Sequence, residues 1–124
     1  MIIWLASYPK SGNTWVRSFL CHYMYGNNEN FNFELLNNIK KFPDINVIKD
    51  LKINFENTNE LTKNWIVMQD YINLNNRLNF LKTHNAFCTI NGNPFTNKTN
   101  TLAAIYIVRD PRDVLISFSS HFNL

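Results

Sequence analysis

Glycine, proline and cysteine are all scarce in this chain: of 124 residues, 3 are Gly, 4 are Pro and 2 are Cys. The cysteines, Cys21 and Cys88, stand far apart and form no Cys-x-x-Cys pair, which argues against a disulfide framework or a zinc site. Cys21 falls inside an expected helix and reads as a reduced packing residue. No glycine precedes Gly12, so the Gly-x-x-x-x-Gly-Lys-Ser/Thr loop of nucleoside triphosphatases is ruled out at the N-terminus. No apolar run approaches the ~20 residues that span a bilayer, and there is neither a basic leader nor a full apolar signal region. The expectation is a soluble, cytoplasmic protein with no membrane partner. Charge is sparse as well, with charged residues at 17% and a net charge of +3. That mild excess suits a small anionic ligand and falls short of the basic stripe that nucleic acid requires. Lys40 and Lys41 in "NIKKF" are the only adjacent lysines and read as a solvated helix end.

What is present is apolar surface: 45% of residues are hydrophobic and 15% aromatic, enough for the core of one domain or part of one. Ile2 to Ala6 is a continuous apolar run, the pattern of a strand buried on both faces. "SYPKSGN" then supplies turn chemistry, and from Thr14 the apolar positions Trp15, Val16, Phe19, Leu20, Tyr23 and Met24 recur at helical spacing. A strand, tight loop and helix in this order aim free backbone N–H groups and the positive helix end at one point, an anion site. Lys10 adds a cation there, and Ser11 and Thr14 add hydroxyls. The same pattern also fits an ordinary strand-to-helix turn.

"FNFELLNNIKKF" (31–42) predicts a short helix ending before Pro43, and a helix opening at Leu61-Thr62 would run through Trp65, Met68 and Ile72. "NFLKTH" (79–84) predicts a second strand, "NGNPFTNK" a loop or hairpin, and "TLAAIYIV" (101–108) a third strand covered on both faces. After "RDPRD" the spacing of Val114, Leu115, Phe118 and Phe122 predicts a helix, with Pro111 suited to its start and Asp113 to its first turn. Strands alternating with helices imply an α/β fold, a parallel sheet between helical layers. Ligands of such sheets bind beyond the carboxyl ends of the strands. Three polar clusters fall at those ends: Lys10-Ser11-Gly12, Lys82-Thr83-His84 and Arg109-Asp110-Pro111-Arg112.

Taken together, these segments resemble the sulfotransferases that use 3′-phosphoadenosine 5′-phosphosulfate (PAPS). "SYPKSGNTWVR" is similar to that family's 5′-phosphosulfate loop, usually Tyr-Pro-Lys-Ser-Gly-Thr-Thr-Trp. "IYIVRDPRDVLISFSSHF" resembles its 3′-phosphate motif, and "LKTHNAF" its Lys-Thr-His segment. The resemblance spans the whole chain and implies a P-loop-like, three-layer α/β/α fold. It implies that Lys10, Ser11, Gly12, Asn13 and Thr14 wrap the 5′-phosphosulfate, that Trp15 lies beside the adenine, and that Arg109 and Ser117 grip the 3′-phosphate. Asn13 replaces the commoner Thr but still offers an amide donor, and Trp15 also fits core packing, since it shares the helix's apolar stripe.

The implied reaction moves a sulfuryl group to a hydroxyl or amine of a small-molecule or glycan acceptor. His84 is suited to act as base near neutral pH, and Lys82 and Lys10 to stabilise charge on the transferred and departing groups. A singly charged sulfuryl group needs less neutralisation than a triphosphate, so no metal is expected. A surface-loop reading of His84 stays open, and His22 and His121 are taken as structural. The family's domain is usually about twice this length, inside the ordinary range for one domain, and carries a further glycine- and basic-rich cofactor motif. Residues 1–124 are therefore expected to be the N-terminal part of one sulfotransferase domain, inactive and poorly folded alone. Two other classes remain: a kinase-like nucleotide enzyme with Asp110 as its metal-binding carboxylate, and a non-catalytic nucleotide-binding or interaction fragment.

Overall fold

The computed structural model of the chain describes residues 1–27 and 30–123. The first apolar run forms strand β1 (Ile2–Ser7), and the loop after it leads into helix α1 (Asn13–Tyr25). A 3₁₀ helix (Phe33–Asn38) and a two-residue strand β2 (Lys40–Lys41) follow. Three helices come next: α2 (Ile45–Asp50), α3 (Thr58–Lys63) and α4 (Trp65–Asn73). Strand β3 (Asn79–Thr83), the short strands β4 (Thr89–Ile90) and β5 (Asn93–Pro94), strand β6 (Thr101–Ile107) and helix α5 (Pro111–Phe122) complete the chain.

Four strands form one sheet in the order β2-β3-β1-β6, every pair parallel. On one face Leu5, Cys21 and Ile39 pack with Leu20 of α1 and Leu36 of the 3₁₀ helix. On the other, Trp4 and Leu81 meet Ile48 of α2, Trp65 and Met68 of α4, and Phe95. Helices on both faces of a parallel sheet make the expected α/β layering. Trp4 is the pivot of the larger core. Its ring lies 5.2 Å from Phe42 and 5.0 Å from Phe95, and its indole N–H donates to Thr101 Oγ1 at 2.8 Å. β4 and β5 pair as a hairpin turned by Asn91-Gly92, both with positive φ, the residues such a turn demands.

Several expectations are corrected. The segment 31–42 is not one helix: it is a 3₁₀ turn followed by β2, so Lys40 and Lys41 are strand residues hydrogen-bonded beside β3 rather than a helix end. The helix expected from Leu61 is broken at Asn64, whose side-chain amide donates to the Glu60 carbonyl and closes α3 before α4 starts. β6 is apolar throughout yet exposed, with Tyr106 at 69%. It lies at the sheet's edge with β1 on one side only, and among the described residues α5 buries only Val114 fully. The stripe of α1 is likewise divided: Leu20 and Cys21 pack inward, while Trp15, Phe19 and Tyr23 face outward, Trp15 at 83%. Trp15 thus belongs to neither core cluster of the described residues. Phe122 is exposed and stacks on Phe118 at 5.3 Å, and Leu124 lies outside the described residues.

The two tryptophans should therefore separate in urea unfolding. Trp4→Ala is expected to cost about 3–5 kcal/mol, the range for emptying a buried aromatic site, whereas Trp15→Ala should stay within ~0.5 kcal/mol. Equal losses at the two positions would contradict this division of core and surface.

Candidate functional site

The loop from Ser7 to Gly12 is bent by two residues in the left-handed region, Lys10 at φ 65° and Gly12 at φ 97°. Gly12 suits that φ, which side-chain-bearing residues rarely adopt, and a Cβ there would meet no atom within 4 Å, so the space around it is open. The same open space lets a ligand approach the backbone. α1 starts from Gly12 without a side-chain cap; the N–H groups of Trp15 and Val16 donate to the Gly12 carbonyl, and among the described residues no side chain accepts from those of Asn13 and Thr14.

Asn13 closes the loop from beneath. It is only 4% exposed, and its Nδ2 donates to the Leu5 carbonyl at 3.0 Å and to Ser7 Oγ at 3.1 Å. Its amide donors are therefore engaged inside the chain, and what Asn13 has left for an anion is its backbone N–H. Ser11 is buried in the loop, and Thr14 is exposed at its rim.

The register of β1 and β3 sets Ala6 beside Thr83, so the residues that follow, Ser7 and His84, come abreast at the sheet's carboxyl end. His84 Nδ1 lies 2.8 Å from the Ser7 carbonyl oxygen and 3.2 Å from Ser7 Oγ. A carbonyl can only accept, so Nδ1 carries the hydrogen and donates it. The lone pair of the neutral ring is then on Nε2, and His84, though exposed, is held in place through Nδ1.

Lys82, two residues earlier, shares the face of Leu5, the face α1 covers. Burial lowers its pKa from the ordinary 10.5, and the nearby charges of Arg17 and Lys41 lower it further. Arg17 donates to the Leu36 carbonyl at 2.6 Å, and burial lowers its pKa too. Cys21 on the same helix is buried, and desolvation pushes its thiol upward.

The third cluster reaches the loop through Arg109, whose Nη1 donates to the Lys10 carbonyl at 3.3 Å. Asp110 caps α5 by accepting from the Arg112 backbone at 2.9 Å and pairs with the Arg112 guanidinium at 3.0 and 2.7 Å. That pairing holds the Asp110 carboxyl below its usual range. The Asp110 carboxylate, the feature behind the kinase-like alternative, is thus engaged as a helix cap and ion-pair partner. Among the described residues no three His, Cys, Asp or Glu side chains converge as a metal site. Ser117 sits half-buried inside α5.

Two cavities border these groups. One of about 520 Å³ is lined by Ser7, Thr83, His84, Phe87, Phe95 and Tyr106 among others. The second, about 330 Å³, is lined by Ser11, Arg109, Pro111 and Val114. Tyr8 and Tyr106 belong to both, so the cavities adjoin. Sequence reasoning missed Ser7, Arg17 and Lys41. Ser7 was findable as the last residue of β1, where site residues of parallel sheets collect; Arg17 stood out only as a charge within an apolar helix.

The family model described as the sulfotransferase domain matches residues 2–124. The chain belongs to the sulfotransferase family. Comparisons with curated proteins and with solved structures give no match. As a sulfotransferase it is a transferase, and its parallel sheet flanked by helices agrees with that assignment. Among the described residues no helix is long and apolar enough to cross a membrane.

Two measurements check the site's electrostatics. Ring-nitrogen NMR of neutral His84 should show the proton on Nδ1; a proton on Nε2 would contradict the Ser7 anchor. Lys82 bears on stability through linkage. Its pKa is lower folded than unfolded, so between that lowered value and 10.5 the unfolded chain binds more protons, and stability from this group rises with pH. Lys41→Gln, which removes one of the charges depressing Lys82, should flatten that rise in pH-dependent thermal melts.

Proposed function

We propose that this sulfotransferase takes its sulfuryl group from PAPS and delivers it to a hydroxyl or amine of a small-molecule or glycan acceptor. The observation that carries the reading is the Arg109 to Lys10 contact, which joins the two candidate phosphate-binding motifs across one cavity. The residues fit the donor. The loop at Gly12 is open to an approaching anion, the first turn of α1 is uncapped, and Lys10 and Arg109 supply cations. Lys10, Ser11, Gly12, Thr14 and the backbone of Asn13 would hold the 5′-phosphosulfate, and Arg109 with Ser117 the 3′-phosphate. Trp15, exposed on α1, is free to lie against the adenine. When bound, the donor supplies the sulfuryl group that is transferred.

The chain's own residues then do three things. His84, fixed through Nδ1, presents Nε2 as the base that takes the acceptor's proton. Lys82, lowered in pKa, and Lys10 place positive charge near the group in transit. The cavity at His84 offers the acceptor an apolar lining of Phe87, Phe95 and Tyr106. No metal is assigned a part in these steps.

We further propose that residues 1–124 are the N-terminal part of one sulfotransferase domain. The support is the uncovered apolar surface of β6 and α5, where Leu102, Tyr106, Val108, Leu115 and Ile116 are all exposed. Surface of that kind calls for further elements of the same domain, at roughly 25 cal/mol per Å² of apolar area buried.

Calorimetry with two nucleotides tests the donor assignment. Adenosine 3′,5′-bisphosphate should bind more tightly than adenosine 5′-phosphate, and Arg109→Ala should erase most of the difference, about tenfold or more for a lost charge-assisted contact. Equal affinity for the two nucleotides would overturn the assignment.

A further inference from the structure

Lys41 and Lys82 stand in register on neighbouring parallel strands, whose backbones run about 5 Å apart, and like charges so placed repel. Arg17, on α1, acts on the same Lys82 amine. Among the described residues no carboxylate pairs with any of the three, since the ion pairs formed are Lys40–Asp44, Arg109–Asp113 and Arg112–Asp110. Among those residues Arg17 is bonded through Nη2 alone, and its Nε is buried without a partner. Cations gathered without a counter-charge favour an anion brought from outside the chain.

Two of these cations, Arg17 and Lys41, line a cavity of about 680 Å³ beside β2 and the turn that follows it. Asn37 and Asn46 add amide groups to the lining, and Ile45, Phe55 and Leu61 make it partly apolar. Ile45 and Phe55 leave 46% and 57% of their surface in water, so this apolar wall is open to a ligand. Asp44 also borders the cavity, but it is buried, and its carboxylate is held by Lys40 at 3.4 Å and by the Asn46 backbone N–H at 2.8 Å. Asp44 thus balances Lys40 and leaves Arg17 and Lys41 uncompensated. The cavity shares no lining residue with those at His84 and at Arg109. A molecule held here is a third ligand, distinct from the donor and from the acceptor placed at His84.

We propose that this cavity is a second ligand site, separate from the transfer site, and that it takes an amphiphilic anion, with a carboxylate or sulfate head on Arg17 and Lys41 and an apolar body against Ile45, Phe55 and Leu61. The lining calls for both features. A wholly polar anion would leave the apolar wall in water, and a neutral apolar molecule would leave the two cations unbalanced. The cavity's volume lies within the range of small-molecule sites, about 300–1,000 Å³. The assignment rests on neither the donor nor the base, because no residue given a part in either lines this cavity.

Calorimetry with 4-phenylbutyrate and its uncharged amide, 4-phenylbutyramide, tests this. The two differ almost solely in charge, and neither carries a hydroxyl or amine that could accept a sulfuryl group. The carboxylate should bind about tenfold or more tightly than the amide, the advantage of a charge-assisted contact, and the difference should shrink as salt is raised. Lys41→Gln should remove most of the preference. Lys41 is exposed, and its loss relieves a repulsion, so a melting temperature equal to or above that of the unaltered protein shows that the variant is folded. Phe55→Ala should weaken both compounds alike, by about threefold or more. Equal binding of carboxylate and amide, binding of neither, or a preference that survives Lys41→Gln would each overturn the proposal. So would displacement of 4-phenylbutyrate by saturating adenosine 3′,5′-bisphosphate, which would put the carboxylate in the donor site. If the protein keeps the Lys41-dependent preference but fails to bind the nucleotide, the donor assignment falls while this site stands.

Discussion

Both donors of the Asn13 amide are engaged inside the chain, on the Leu5 carbonyl and on Ser7 Oγ, and the geometry of the site follows from that buried clamp. It joins the first residue of α1 to the last turn of β1, so the intervening loop is fixed at both ends. Lys10 is then held in a left-handed conformation at a cost of roughly 1–3 kcal/mol, while Gly12 adopts its own without that penalty. Ser7 is also the residue on which His84 is anchored. Loop and imidazole are thus positioned from one point, and a shift in Asn13 would move both. The parallel register of β1 and β3 completes the arrangement by ending both strands at the same level.

A second constraint is electrostatic. The chain carries 12 Lys and Arg against 9 Asp and Glu, a slight imbalance overall, yet it is concentrated where strands end. Lys10 and Arg109 meet at the loop, and Arg17, Lys41 and Lys82 gather on the α1 face. The carboxylates near the first group are turned to structural work, Asp110 as a cap and Asp113 beside Arg109. Such a distribution destabilises the empty protein a little and favours anionic ligands by the same amount of unbalanced charge. Sulfuryl transfer needs this kind of surface, because the protein's main contribution is to position groups and to neutralise charge as it moves.

Much of this was legible in the sequence, for local reasons. The apolar runs at 2–6 and 101–108, the breakers between Ser7 and Gly12, and Pro111 at a helix start each carry their signal within a few residues. The same holds for the segment ending at His84, which forms β3 as expected. What was not legible depends on neighbours. Lys40 and Lys41 form a strand only because β3 lies beside them, and two residues have no periodicity to read. The break at Asn64 is made by one side-chain bond. The exposure of β6 depends on which strand occupies its far side, which its own apolar sequence does not specify. Arg17 illustrates the point at the site: its place on an apolar helix suggests nothing until the Leu36 carbonyl and Lys82 are brought under it.

The central claim is that the loop after β1 and the segment after β6 form one nucleotide site. Hydrogen exchange of the protein with and without adenosine 3′,5′-bisphosphate tests it most directly. The account predicts protection of residues 8–14 and of 109–117 at the same ligand concentration, as two walls of one cavity must show. Protection of one segment without the other, or protection at neither, would contradict it.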